Sequence, residues 1–163
     1  MIKLSYILIL LFFVAPNNLL SGQERAFLDS AQIREFLKNP ELNQTVKDFW
    51  QGRPEVSDND GTLELLKIIT SESERFFPIC FSTLNEIVKV ADGALAEIMP
   101  MFCFEMIINY PAQTLNYFAA NHDMRVRYAW FLGYEFYFKE KGTSDLKMNF
   151  AEFQGFLKSQ PET

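Results

Sequence analysis

Residues 75–109 read RFFPICFSTLNEIVKVADGALAEIMPMFCFEMIIN, and their spacing decides the fold. Cys80, Leu84, Ile87, Val88 and Ala91 form a continuous stripe at helical intervals, which predicts a helix from about Arg75 to Ala91. Pro78 fits within its first turn, where the absent N–H costs nothing. Asp92-Gly93 marks a turn. Residues 94–109 are apolar on nearly every face and predict a central, buried helix, kinked or split at Pro100.

Outward from this stretch the pattern stays helical. Residues 24–38 predict a first helix ended by Asn39-Pro40, with Asn39 capping and Pro40 opening the next, where Leu42, Val46, Phe49 and Trp50 share a face. A loop at 52–60 leads to a helix carrying Leu63, Leu66 and Ile69, with Asp60 as its cap. Asn109-Tyr110-Pro111 starts a short helix carrying Leu115, Phe118 and Ala119, and Asn121-His122-Asp123 forms a junction. Residues 124–141 are aromatic enough for a strand but lack strict alternation, so they read as helix among helical neighbours. The last helix is expected from Thr143 or Ser144, with Leu146, Phe150, Phe153 and Leu157 in register. The expectation is an all-α chain, an irregular bundle of about six or seven helices, with no linker dividing residues 23–163.

At the other end, Lys3 precedes an uncharged, mostly apolar run from Leu4 to Ala15. That run is shorter than the ~20 residues a spanning helix needs, and it fits the core of a secretory signal. Residues 1–22 are therefore expected to be a signal peptide cut after Leu20-Ser21-Gly22. The mature chain would work in the periplasm or outside the cell, without a stable membrane anchor. The net charge of −6 opposes nucleic-acid binding and electrostatic adhesion to anionic lipid. Seventeen Phe, six Tyr and two Trp, against seven Gly and seven Pro, belong to a packed domain and not to a disordered tail.

Cys80 and Cys103 are the only cysteines. If 76–91 and 94–109 fold back on each other about Asp92-Gly93, the two sit at nearly the same height and could form a disulfide. Such a bond would stabilise by ~3 kcal/mol through loop closure. The alternative is a pair of reduced, buried small hydrophobes. Neither thiol has a base beside it in sequence, so either role is structural.

Chemistry is sparse. One histidine, His122, excludes a multi-histidine zinc site, and in its junction it reads as part of a solvated turn. Asp58-Asn59-Asp60-Gly61 resembles a calcium loop until Val56 and Lys67 fall on two key ligand positions. Glu97 and Glu105 lie ~12 Å apart along a continuous helix, too far for a glycosidase pair. No Gly-x-Ser-x-Gly elbow and no phosphate-binding loop is present. Asn43-Gln44-Thr45 is a glycosylation sequon, meaningful in a eukaryotic host. These absences point away from an enzyme, and no cofactor is implied.

What remains is an aromatic surplus. Seven rings lie between Tyr128 and Phe138, more than one stripe can bury, with Met99, Met101 and Met106 on the central helix. Met101, Tyr128, Phe131, Tyr134 and Phe138 are the candidate apolar binding face. The leading expectation is an exported binding protein that docks onto a protein partner, in an inhibitor- or immunity-like role. The alternative is a carrier of a small apolar ligand. A cavity near residues 99–138 would favour the carrier, and a solid core with an exposed aromatic patch would favour the partner.

Overall fold

In a computed structural model, residues 27–52 and 55–160 are described; the expected signal segment 1–22 and its cleavage point lie outside them. The described residues are all-α, with eight helices against the six or seven expected. These are α1 (Ser30–Leu37), α2 (Gln44–Trp50), α3 (Asp60–Ser71), α4 (Phe77–Val90), α5 (Gly93–Asn109), α6 (Pro111–Ala120), α7 (His122–Glu140) and α8 (Phe150–Lys158), with a 3-10 turn at Glu74–Phe76 before α4. Among the described residues no helix is long and apolar enough to cross a membrane.

Local hydrogen bonding explains where the helices begin. Asp29 starts α1: its carboxylate accepts from the N–H groups of Ala31 and Gln32, and the Gln32 side-chain oxygen accepts from the Asp29 N–H. The expected start at residue 24 is therefore too early for the described part, since Asp29 is extended. Asn39 caps only a tight turn, accepting from Glu41 N–H, while Asn43 accepts from Thr45 N–H at 2.8 Å and opens α2. The sequon asparagine is thus a helix cap. Asn59, one residue before the expected Asp60, caps α3 through Thr62 N–H at 2.8 Å. At the far end, Asn149 and Glu152 form a second reciprocal cap, which moves the start of α8 from the expected 143–144 to Phe150. Pro100 does not split α5, which runs through it from Gly93 to Asn109.

The chain divides into two compact units, one within Ala26–Ile98 and one within Met99–Thr163. In the first, α2, α3 and α4 pack on one another. On these three helices Val46, Leu65, Leu66, Ile69, Ile79, Leu84, Ile87 and Val88 are all essentially removed from water. The Trp50 indole N–H donates to Thr83 Oγ1 at 2.9 Å, so a large ring enters this core with its polar atom satisfied. Phe27 meets Phe77 and Phe81 edge-on, at 5.6 and 5.1 Å.

In the second unit, α6 packs on α7, and Phe118 lies 4.7 Å from the ring of Tyr128. Phe136 on α7 touches Phe104 of α5 and both Phe150 and Phe153 of α8. Gly142, at φ 74°, ends α7 in a left-handed residue: Thr143 N–H reaches Phe138 C=O and Gly142 N–H reaches Lys139 C=O.

The two kinds of apolar residue should separate cleanly in urea denaturation. Leu66→Ala removes a fully buried side chain and is expected to cost ~2–5 kcal/mol. Val90→Ala, at a residue 59% exposed, should stay within about 0.5 kcal/mol. Equal losses would contradict the placement of α3 against α4.

Candidate functional site

Helix α7 carries aromatic residues all round, so sequence periodicity alone gives it no inward side. Its neighbours supply one. At ~100° per residue, Met124, Tyr128, Phe131, Leu132 and Phe136 fall on one half of the helix, and all five are buried. The opposite half carries Asp123, Arg127, Trp130, Tyr134, Tyr137 and Phe138. Trp130 is 49% exposed, and Tyr134, Tyr137 and Phe138 are half-buried.

These outer rings are ordered against one another. Trp130 stacks nearly parallel on Tyr134, with centroids 6.1 Å apart and planes 15° apart. Tyr134 meets Phe138 at 4.7 Å, and Phe138 meets Tyr137 edge-on at 5.4 Å. The Lys141 ammonium sits 5.7 Å from the Tyr137 ring centre. Steps of four residues, 130 to 134 to 138, make one ladder along the surface of the helix. Rings held this way lose little conformational entropy when a partner covers them.

The five candidate residues therefore divide. Tyr128 and Phe131 lie in the core; Met101, at 46% exposure, and the half-buried Tyr134 and Phe138 lie at the surface. Trp130 and Tyr137 belong to the surface set and were absent from the candidates. Their signal is the run of four- and three-residue steps Trp130–Tyr134–Tyr137, out of phase with the buried stripe. Burial also pushes the Tyr128 phenol well above its ordinary value, with the Cys103 and Tyr117 groups beside it adding to the effect.

The Cys80–Cys103 disulfide expected as one alternative is not formed: both are free, buried thiols. The expectation required a hairpin packed along its length. The boundary between the compact units instead falls between Ile98 and Met99, inside the second arm, so each cysteine packs within its own unit. Burial, with a smaller contribution from the Glu72 carboxylate, pushes the Cys80 thiol up to about 12. Burial alone raises Cys103 further. Neither is a ready nucleophile, since the thiolate is the reactive form.

The remaining polar candidates are absorbed by local structure. His122 Nδ1 lies 2.6 Å from Arg125 Nη2 on the exposed start of α7. In the calcium-like loop, Asn59 caps α3 and its amide donates to Ser57 Oγ at 2.7 Å, while Ser57 N–H donates to Thr62 Oγ1. Glu97 is exposed and Glu105 half-buried, one in each compact unit. Among the described residues no group of three or more His, Cys, Asp and Glu side chains is placed to hold a metal.

Two clefts belong to the first unit. One of about 450 Å³ is lined by Gln32, Glu35, Phe36, Lys38 and Asn39. A smaller one of about 190 Å³ lies between Val56–Asp58 and Val90–Leu95. Neither is lined by any residue of 99–138. Compared with known proteins, the chain matches no family model, no curated protein and no solved structure.

The thiols have two measurable consequences. Native protein should give no reaction with a thiol reagent at pH 8, and protein unfolded without reductant should give two thiols per chain; none would restore the disulfide. The second concerns alkali. The folded chain keeps the Cys80 proton above pH 9.0, its ordinary value, where the unfolded chain releases it. That stability is fully present below pH 9 and is lost progressively as pH rises toward the folded value of about 12. Urea midpoints should therefore fall between pH 8 and pH 10.5, and less so in Cys80→Ala.

Proposed function

We propose that this chain is an exported helical binding protein, not an enzyme, and that it docks onto another protein through the outer face of α7. The observation that carries this reading is the ladder of Trp130, Tyr134 and Phe138, with Trp130 half open to water. Protein interfaces concentrate their binding energy in aromatic anchors of this kind. The export part rests on the apolar run from Leu4 to Ala15 in the sequence.

A carrier of a small apolar ligand would need the rings of this region to enclose a space. Tyr128 instead contacts Phe118, and Phe131 contacts Trp130 edge-on, which favours docking over enclosure. Catalysis would need a positioned acid–base pair, and the reading includes none.

Native mass spectrometry of protein isolated from its own host separates these roles. A protein-sized partner should be retained by the natural chain and lost in Trp130→Ala, with circular dichroism unchanged. A bound species on the order of a few hundred daltons would favour the carrier. A bare monomer in both samples would sink the docking role.

A further inference from the structure

We propose that the partner of α7 is α7 of a second copy of this chain, the two helices pairing antiparallel about a two-fold axis near Leu132. This rests on the docking role of the same face. Positions 123, 127, 130, 134, 137 and 141 are separated alternately by four and three residues, the spacing of a coiled-coil seam. At ~100° per residue the first five lie on the outward half of the helix, centred opposite the buried stripe, and Lys141 is the residue that caps its C-terminal end. Asp123, Arg127, Trp130 and Lys141 are exposed; Tyr134 and Tyr137 are half-buried.

The order of residues along this seam is self-complementary. In the antiparallel arrangement Asp123 faces the partner's Lys141, Arg127 faces the partner's Tyr137, and Trp130 faces the partner's Tyr134. Two-fold symmetry repeats each layer, giving two opposite-charge layers at the ends, two cation–π layers inside them and aromatic pairs at the centre. A parallel pair would set Asp123, Arg127 and Lys141 each against its own copy, with like charges in three layers. A slip of one heptad in either direction leaves two seam positions of each helix unpaired and breaks the Asp123–Lys141 layer. A foreign partner would impose no such internal symmetry on the face.

The charge balance also permits two copies to approach. Residues 99–163 hold seven acidic and six basic side chains, whereas 23–98 hold fourteen and eight. The aromatic face thus belongs to the near-neutral part of the chain. The seam is roughly 27 Å long at ~1.5 Å per residue, short for a permanent dimer. Association in the micromolar range is expected.

Sedimentation equilibrium on the full protein from its own host, over a wide micromolar range, tests this. A reversible monomer–dimer equilibrium is expected. Trp130→Ala, which removes two anchors per dimer, should weaken it by ~100-fold or more. Asp123→Lys should weaken it roughly tenfold by opposing like charges in two layers. Asp123→Lys combined with Lys141→Asp should restore it. Both charge positions are exposed but sit at the two ends of α7, where each favours the helix dipole, so circular dichroism of each variant must match the natural chain for its dissociation constant to count. A monomer at every concentration overturns the proposal, as does a dimer indifferent to Trp130→Ala or charge variants that do not compensate. A monomer that still holds a foreign protein, lost in Trp130→Ala, overturns self-pairing while leaving the docking role intact; loss of both overturns both.

Discussion

The ring of Phe136 fixes the orientation of everything on α7. It is almost completely buried and touches Phe104, Phe150 and Phe153, so three helices of the second unit meet at one side chain. A helix with aromatic residues around its whole circumference has no preferred side until such a contact selects one. Once Phe136 points inward, the 3.6-residue period sends Met124, Tyr128, Phe131 and Leu132 with it. The same rotation carries Trp130 and Tyr134 out to the surface. The external face is therefore a consequence of core packing, and its rings are held as firmly as the helix that bears them.

This explains which parts of the fold were legible in the sequence. The stripes of α3 and α4, Pro78 in the first turn of α4 and Pro111 opening α6 come from spacing and from proline chemistry, which need no tertiary partner. The start of α8 was misplaced because Leu146 continues the apolar period of Phe150 and Phe153 while lying outside the helix. It is buried all the same, and a buried loop residue imitates helical spacing. Asn39 and Asn43 differ in role although each accepts from the N–H two residues on. Only the residues C-terminal to each asparagine distinguish a turn from a helix start. The two reciprocal caps, Asp29–Gln32 and Asn149–Glu152, are residue pairs three apart that the apolar period alone does not mark, which is why both starts were placed too early.

The candidate face was half legible for a different reason. Composition gave the surplus of rings on 128–138 but not their phase, so Tyr128 and Phe131 were grouped with Tyr134 and Phe138. A periodicity argument needs polar residues to mark the solvent side, and here aromatic residues occupy both sides. The disulfide expectation had the same kind of gap. Matching heights along two helices are necessary for a bond, but the pairing of those helices is a property of packing. With the unit boundary at Ile98 and Met99, each thiol is enclosed by its own neighbours and loses contact with water and oxidant alike.

Holding a tryptophan half exposed carries a solubility cost that the distribution of charge offsets. An aromatic ladder on a near-neutral surface invites non-specific association. In this chain the acidic surplus is concentrated in residues 23–98, which keeps the whole molecule negative while the α7 unit stays balanced. Net charge of one sign suppresses indiscriminate aggregation, and it acts through every copy regardless of orientation. Screening confines each charge to about 8 Å at physiological ionic strength, so neutrality beside α7 leaves that face open to close approach. General repulsion and one near-neutral surface are compatible here because acid and aromatic are separated along the sequence. Asp123 and Lys141 then place opposite charges at the two ends of that surface.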